Sequence, residues 1–228
     1  MFGLQIRYLS FFLGLISILS FFNIIYSYYL NLYLNLNTYY YSFIVSLLIS
    51  ILFFKIKLPD KKPSIYNKIL IVFLGYILLP LILSIPFYFS IYNLTFLNSF
   101  FESISGFTST GFTIFENIKN IDQSLILWRS STQWIGGLYF LFSIIYLIDI
   151  YDENFKKTLT NFISLNSSEI LKQAIKIFLL YSGLTLAIFI ILNIFSIRTF
   201  DSLNLAFTLI SSGGFLPVND LSSIIKEN

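Results

Sequence analysis

Long apolar runs divided by short polar stretches give the first reading of this 228-residue chain. The first run goes from Tyr8 to about Leu30 and is led only by Arg7. It is longer than the apolar region of a signal peptide and has no small-residue cleavage site, so it predicts a spanning helix. An uncharged polar loop, Asn31 to Thr38, separates it from a second run, Tyr39 to Phe54, near the short limit for crossing a bilayer. The third run, Ile69 to Tyr88, holds Pro80 and Pro86 in its outer half, where neighbouring helices can compensate the lost backbone bond. A fourth covers Leu125 to Ile150, and a fifth follows Lys172 and Lys176 and ends near Phe195. Two other apolar segments, Leu97 to Ser105 and Leu203 to Leu209, are too short to cross at about 1.5 Å per residue. Each runs directly into Ser, Thr and Gly. The pattern predicts an all-α membrane protein whose transmembrane helices alternate with re-entrant pore loops, each made of a short helix and a broken backbone.

Five parts follow in order. Residues 1–54 make a leading helix hairpin and 55–68 a basic loop. Residues 69–150 make a first helix–pore loop–helix unit, 151–169 a polar linker, and 170–228 a second unit that stops after its loop. Placing Gly213 opposite Gly111, an offset of 102, sets Ser211-Ser212 against Ser109-Thr110. Lys68 and Lys172 likewise precede corresponding spans, which marks an internal repeat.

Composition agrees with the pattern and narrows the function. The chain is 57% hydrophobic and 11% charged, with a mean hydropathy of +0.81. That is the composition of an integral membrane protein. With no Cys and no His, disulfides, thiolate chemistry, imidazole catalysis and His metal ligation are all excluded. A soluble enzyme is not expected, nor is a cofactor, and a net charge of +3 is too small to suggest nucleic acid. The placement of charge says more. Arg7, Lys55, Lys57, Lys61, Lys62, Lys68, Lys156, Lys157, Lys172 and Lys176 fall on one side of the predicted spans. Only Lys119, Arg129, Arg198 and Lys226 fall on the other. The positive-inside rule then predicts a multi-pass protein of the inner (plasma) membrane, with a cytoplasmic amino terminus and both pore loops facing out.

The candidate chemistry lies in those loops. A hydroxyl-rich, broken backbone at membrane depth is tolerated only when covered by protein or lining a water-filled cavity. Rings of its carbonyls can replace the hydration shell of a cation that must also be free to leave. The expected donors are Thr108, Ser109, Thr110 and Gly111 in the first loop and Ile210, Ser211, Ser212 and Gly213 in the second. The C-terminal end of each short helix adds partial negative charge. Glu102, an intramembrane carboxylate just behind the first loop, reads as a support for that loop rather than an ion ligand. Arg129 has three open roles: a partner of Glu102, a partner of Glu116, or a side chain reaching for the interface. Trp128 and Trp134 read as interfacial aromatics, and Gly136-Gly137 as a close-packing site for another helix.

Phe101-Glu102-Ser103-Ile104-Ser105-Gly106, Thr108-Ser109-Thr110-Gly111, Leu127-Trp128-Arg129, Gln133-Trp134-Ile135-Gly136-Gly137 and Ser211-Ser212-Gly213-Gly214-Phe215 resemble, in this order, the Trk/Ktr/HKT superfamily of potassium transporters. The resemblance implies potassium uptake through a selectivity filter, with potassium as the transported ion. In that superfamily a glycine at the key filter position accompanies potassium and a serine there accompanies sodium, so Gly111 and Gly213 imply potassium. Phe112 departs from the pattern, since a small residue often follows that glycine. Superfamily members build one pore from four units and work with a cytosolic ring of nucleotide-binding subunits. The resemblance therefore implies further pore units or a second chain as partners, and such a ring as regulator. With two loops the chain reads as a fragment, one product of a split gene, or a decayed gene; the alternative function is a non-conducting membrane interaction protein.

Overall fold

The computed structural model describes residues 3–56, 64–148, 170–219 and 224, among which eight α-helices and no strand occur. The linker expected over 151–169 lies outside the described residues, as does most of the basic loop. Helices α1 (Gly3–Tyr29) and α2 (Leu36–Lys55) form the leading hairpin. Serines line their seam: Ser20 Oγ donates to Ser42 Oγ at 3.0 Å and Ser50 Oγ to the Ser10 carbonyl at 2.8 Å. Small residues let the two backbones approach, and the hydroxyls satisfy each other away from water.

The first repeat unit opens with α3 (Ile65–Leu83), which breaks at Ser84 before the single turn α4 (Ile85–Tyr88). Pro86 lies at the start of α4, a position where its missing N–H costs nothing. The short helix α5 (Phe96–Phe107) then leads into the first loop, and α6 (Gln123–Ile148) returns through the bundle. The second unit repeats the order with α7 (Ile170–Ile194) and α8 (Thr199–Ile210). Four stretches, Ile6–Tyr29, Leu36–Lys55, Ile65–Tyr88 and Ile175–Ile194, are long and apolar enough to cross a membrane. The helix expected over Leu125 to Ile150 is described as α6 over Gln123–Ile148, and its amino-terminal half carries the polar run Arg129-Ser130-Ser131-Thr132-Gln133. All five of those side chains are buried, because α6 packs against α1, α3, α5, α7 and α8.

Polar anchors fix α6 at the centre. Trp128 Nε1 donates to the Leu83 carbonyl at 3.0 Å, an acceptor freed by the break in α3. Trp134 Nε1 donates to Thr185 Oγ1 at 2.9 Å, and Tyr139 OH to the Val72 carbonyl at 2.9 Å. Both tryptophans are buried. The interfacial placement expected for them is wrong, because each indole N–H finds its partner inside the bundle rather than among lipid headgroups.

The two ends of the bundle differ. At one end the Arg7 guanidinium sits 4.4 Å over the Phe54 ring and Lys68 Nζ lies 5.4 Å over the Tyr146 ring. At the other, Asn35 Nδ2 donates to Asp122 Oδ2 at 3.2 Å and Tyr92 OH to the Asn120 carbonyl at 3.2 Å. The chain after each of the two short helices returns to this second end. The segments that follow them are tied together there by Asn219 Nδ2 donating to Asn117 Oδ1 at 2.9 Å.

Candidate functional site

Helix α5 starts because Thr95 caps it, its side chain accepting from Asn98 N at 3.2 Å. It ends in a turn that the residues after Gly106 build from their own hydroxyls. Thr108 Oγ1 donates to the Ile104 carbonyl at 2.8 Å, and Ser109 then turns into the left-handed region at φ +56°. Thr110 N donates to the Ser105 carbonyl at 2.9 Å, Gly111 takes φ +79°, and Ser105 Oγ reaches forward to the Phe112 carbonyl at 2.6 Å.

The second loop repeats these steps bond for bond. Ser211 Oγ donates to the Phe207 carbonyl at 2.8 Å and Ser212 takes φ +53°. Gly213 N donates to the Thr208 carbonyl at 2.8 Å, and Thr208 Oγ1 to the Phe215 carbonyl at 2.8 Å. Each hydrogen bond falls 103 residues after its counterpart, so Ser109 matches Ser212, Thr110 matches Gly213 and Gly111 matches Gly214, although Gly214 does not share the positive φ of Gly111. The offset of 102 read from the sequence is therefore corrected by one. Ile210 is the last residue of α8 and corresponds to Phe107, not to a loop residue. A Gly-Phe pair in each loop, Gly111-Phe112 and Gly214-Phe215, was the signal for the right register.

Gly111 and Gly214 face one another. A Cβ added to Gly111 would lie 2.5 Å from Gly214 Cα. Beside the two loops is a cavity of about 470 Å³, bordered among others by Thr108, Ser109, Ser211, Ser212 and Gly137.

Glu102 and Arg129 hold the first loop from behind. Both are buried, with Arg129 Nε donating to Glu102 Oε1 at 2.8 Å. The same carboxylate accepts from Ile114 N at 2.9 Å and from Thr113 Oγ1 at 3.0 Å. Arg129 Nη2 also donates to Thr113 Oγ1 at 3.0 Å. Of the three roles open to Arg129, the structure selects the pair with Glu102. The guanidinium also lies 4.3 Å over the ring of Phe215, which is 1% exposed, whereas the matching Phe112 is 68% exposed. In a low-dielectric interior this pair needs every hydrogen bond it has, and the loop supplies the Ile114 backbone N–H and the Thr113 hydroxyl.

Helix α6 wedges between the two loops with a different face on each. Thr132 and Gly136, one turn apart, meet the first: a Cβ on Gly136 would overlap the Phe107 carbonyl oxygen. Gln133 and Gly137, one turn apart, meet the second, and Arg129 a turn earlier touches both: a Cβ on Gly137 would lie 2.9 Å from Ser211 Cβ. With its amide turned so that donors face acceptors, Gln133 Oε1 accepts from Gly214 N and Phe215 N, each at 2.8 Å. Its nitrogen donates to Thr208 Oγ1 at 3.0 Å. Close packing at Gly136-Gly137 agrees with the sequence reading. Gln133 went unrecognised as a loop residue, and its place one turn from both Arg129 and Gly137 was the signal.

A family model described as TrkH, a cation transport protein, matches residues 35–223. The chain belongs to the TrkH family. An uncharacterized cation transporter of Methanocaldococcus jannaschii is 29% identical over 168 residues, covering 67% of this chain and 34% of that protein. The Trk system potassium uptake protein TrkH of Salmonella typhimurium is 29% identical over 153 residues, covering 64% of this chain and 32% of that one. The chain thus spans about a third of the length of these curated relatives. The crystal structure of the potassium transporter TrkH from Vibrio parahaemolyticus matches with a TM-score of 0.73 at 20% identity. That match covers 95% of this chain and 44% of the other. The fold is that of a TrkH-type pore-loop protein, and the relatives are transporters rather than enzymes.

Proposed function

We propose that this TrkH-family chain contributes two of the loops of a potassium-selective filter and takes part in potassium uptake across the inner (plasma) membrane. The observation that carries the reading is the pair of loops closed by the same turn hydrogen bonds, each with a left-handed serine, and with Gly111 and Gly214 set face to face. The coordinating carbonyls in this reading are those of Thr108, Ser109, Thr110 and Gly111, and of Ser211, Ser212, Gly213 and Gly214. Potassium loses its water there to oxygens held at a spacing the backbone sets, and it leaves because no carboxylate stands in the loop. Glu102 and Arg129 keep the first loop in place without touching the ion. The names of the relatives, potassium uptake proteins among them, support potassium as the ion. The separation of Arg7 and Lys68 from the loop end supports a cytoplasmic amino terminus. Further pore units, from a longer or second chain, complete the ring around the ion, and a cytosolic nucleotide-binding ring is the expected regulator.

The test is a chimera in which this chain replaces the matched part of the Vibrio protein, expressed in a host without its own potassium uptake. Growth at low potassium and rubidium uptake are expected. Gly111→Ser, which puts a Cβ against Gly214, should lower the preference for potassium over sodium. A chimera that reaches the membrane yet leaves the host dependent on high potassium would instead favour the non-conducting interaction protein.

A further inference from the structure

We infer that Gln133, reaching from the first unit into the second, is the positioning residue that fixes the second filter loop. The inference rests on the potassium reading above and adds the residue on which one of its loops depends. The backbone N–H groups about each filter glycine need acceptors. In the second loop those of Gly214 and Phe215 both go to the Gln133 amide oxygen at 2.8 Å, and the amide nitrogen closes the circuit through Thr208 to the Phe215 carbonyl. The first loop is held differently, by a carboxylate on its own short helix, Glu102, which binds Ile114 N and Thr113. At the corresponding place in α8 stands Leu205, which has no hydrogen-bonding group. The second loop therefore takes its polar support from α6. Gln133 is fully buried, and a Cβ on Gly213 would collide with its amide, so side chain and loop occupy one fitted space.

The chemistry of the amide decides what can replace it. Glutamate at 133, as the neutral acid in this buried place, keeps an acceptor for both N–H groups and a hydroxyl that donates to Thr208 as the amide nitrogen does, so Thr208 still donates to the Phe215 carbonyl. Leucine keeps the volume and takes the amide acceptor from both N–H groups, that of buried Phe215 among them, which opens the turn. Asparagine is one methylene too short to reach.

Two measurements separate this inference from the reading on which it rests. Hydrogen–deuterium exchange on the full chain in detergent addresses the clamp directly. In Gln133→Leu, exchange over 211–216 should rise about tenfold or more, while the first loop, 105–114, and the α1–α2 hairpin stay as in the parent. Gln133→Glu should hold the second loop near the parent rate, and Gln133→Asn should not. Unchanged exchange over 211–216 in Gln133→Leu, or an equal rise in both loops, would overturn the inference. Ion selectivity is then read in the chimera. Gln133→Leu should lower the potassium-over-sodium ratio about tenfold, with Gln133→Glu restoring most of it. Loss of protection without loss of selectivity in a conducting chimera would sink Gln133 as a filter determinant. A parent chimera that does not conduct would count against the potassium reading and leave the exchange result to judge the clamp.

Discussion

Arg129 and Glu102 are the two charges buried deepest behind the first loop, and they are not equivalent to any surface pair. Removing one partner leaves the other charged and buried, at a cost of about 3–5 kcal/mol, whereas replacing both with apolar groups is often nearly neutral. Glu102→Gln and Arg129→Met should each lower the thermal midpoint of the detergent-solubilised protein clearly, and the double variant should lose less than the two added together. Strict additivity would show that the two side chains act separately. Ser109 shows where residue type stops being informative. Its hydroxyl is visible in the sequence and suggests that threonine would serve equally well. Its φ of +56° is not visible, and a β-branched side chain is strained in that region. Ser109→Thr should therefore disturb the loop more than Ser109→Gly, as measured by the potassium-over-sodium uptake ratio of the chimera. Glu102 was legible because a carboxylate among apolar residues stands out. Gln133 was not, since an amide in a polar run says nothing about where it aims.

At the scale of elements, α6 sits where a side chain the size of a methyl group is already too much. Gly136→Ala drives a Cβ into the end of α5 and should cost about 1–3 kcal/mol. Gly183→Ala on α7, where nothing lies within 4 Å, should gain up to about 1 kcal/mol from helix propensity alone. Thermal melts of the two single variants check this, and equal shifts in both would mean that α6 is not wedged. The spans were readable because α1, α2, α3 and α7 are apolar over nearly their whole length, and lipid demands that. The short helices α5 and α8 were readable from the Ser, Thr and Gly that stop them. What escaped was anything decided between elements. Trp128 and Trp134 have the composition of interfacial residues and the position of core ones, and the carbonyl at the end of α3 makes the difference for Trp128. The repeat offset was misread by one because Ser-Ser-Gly-Gly offers two glycines, and only the hydrogen bonds of the turn say which one matches Gly111.

Across the whole molecule, the ends of the bundle and the number of its loops carry the remaining predictions. Reporter fusions after Lys62 and Asn161 should lie in the cytoplasm and fusions after Asn35 and Asn117 outside; a cytoplasmic signal at Asn117 would put the first loop on the wrong side for uptake. Two loops also leave the ion open on its other sides, so these 228 residues in liposomes should carry no potassium-selective flux. Selective flux from the purified chain would mean that copies of it close the ring by themselves. The wedge of α6 has a further consequence, for heredity rather than for transport. One helix presents Thr132 and Gly136 to the first loop and Gln133 and Gly137 to the second, so a shift of the helix as a whole is felt at both. The two loops are therefore not free to drift apart. A change that suits one loop must be answered in the other, and lineages that alter their ion preference should carry compensating replacements in both loops and on the helix between them.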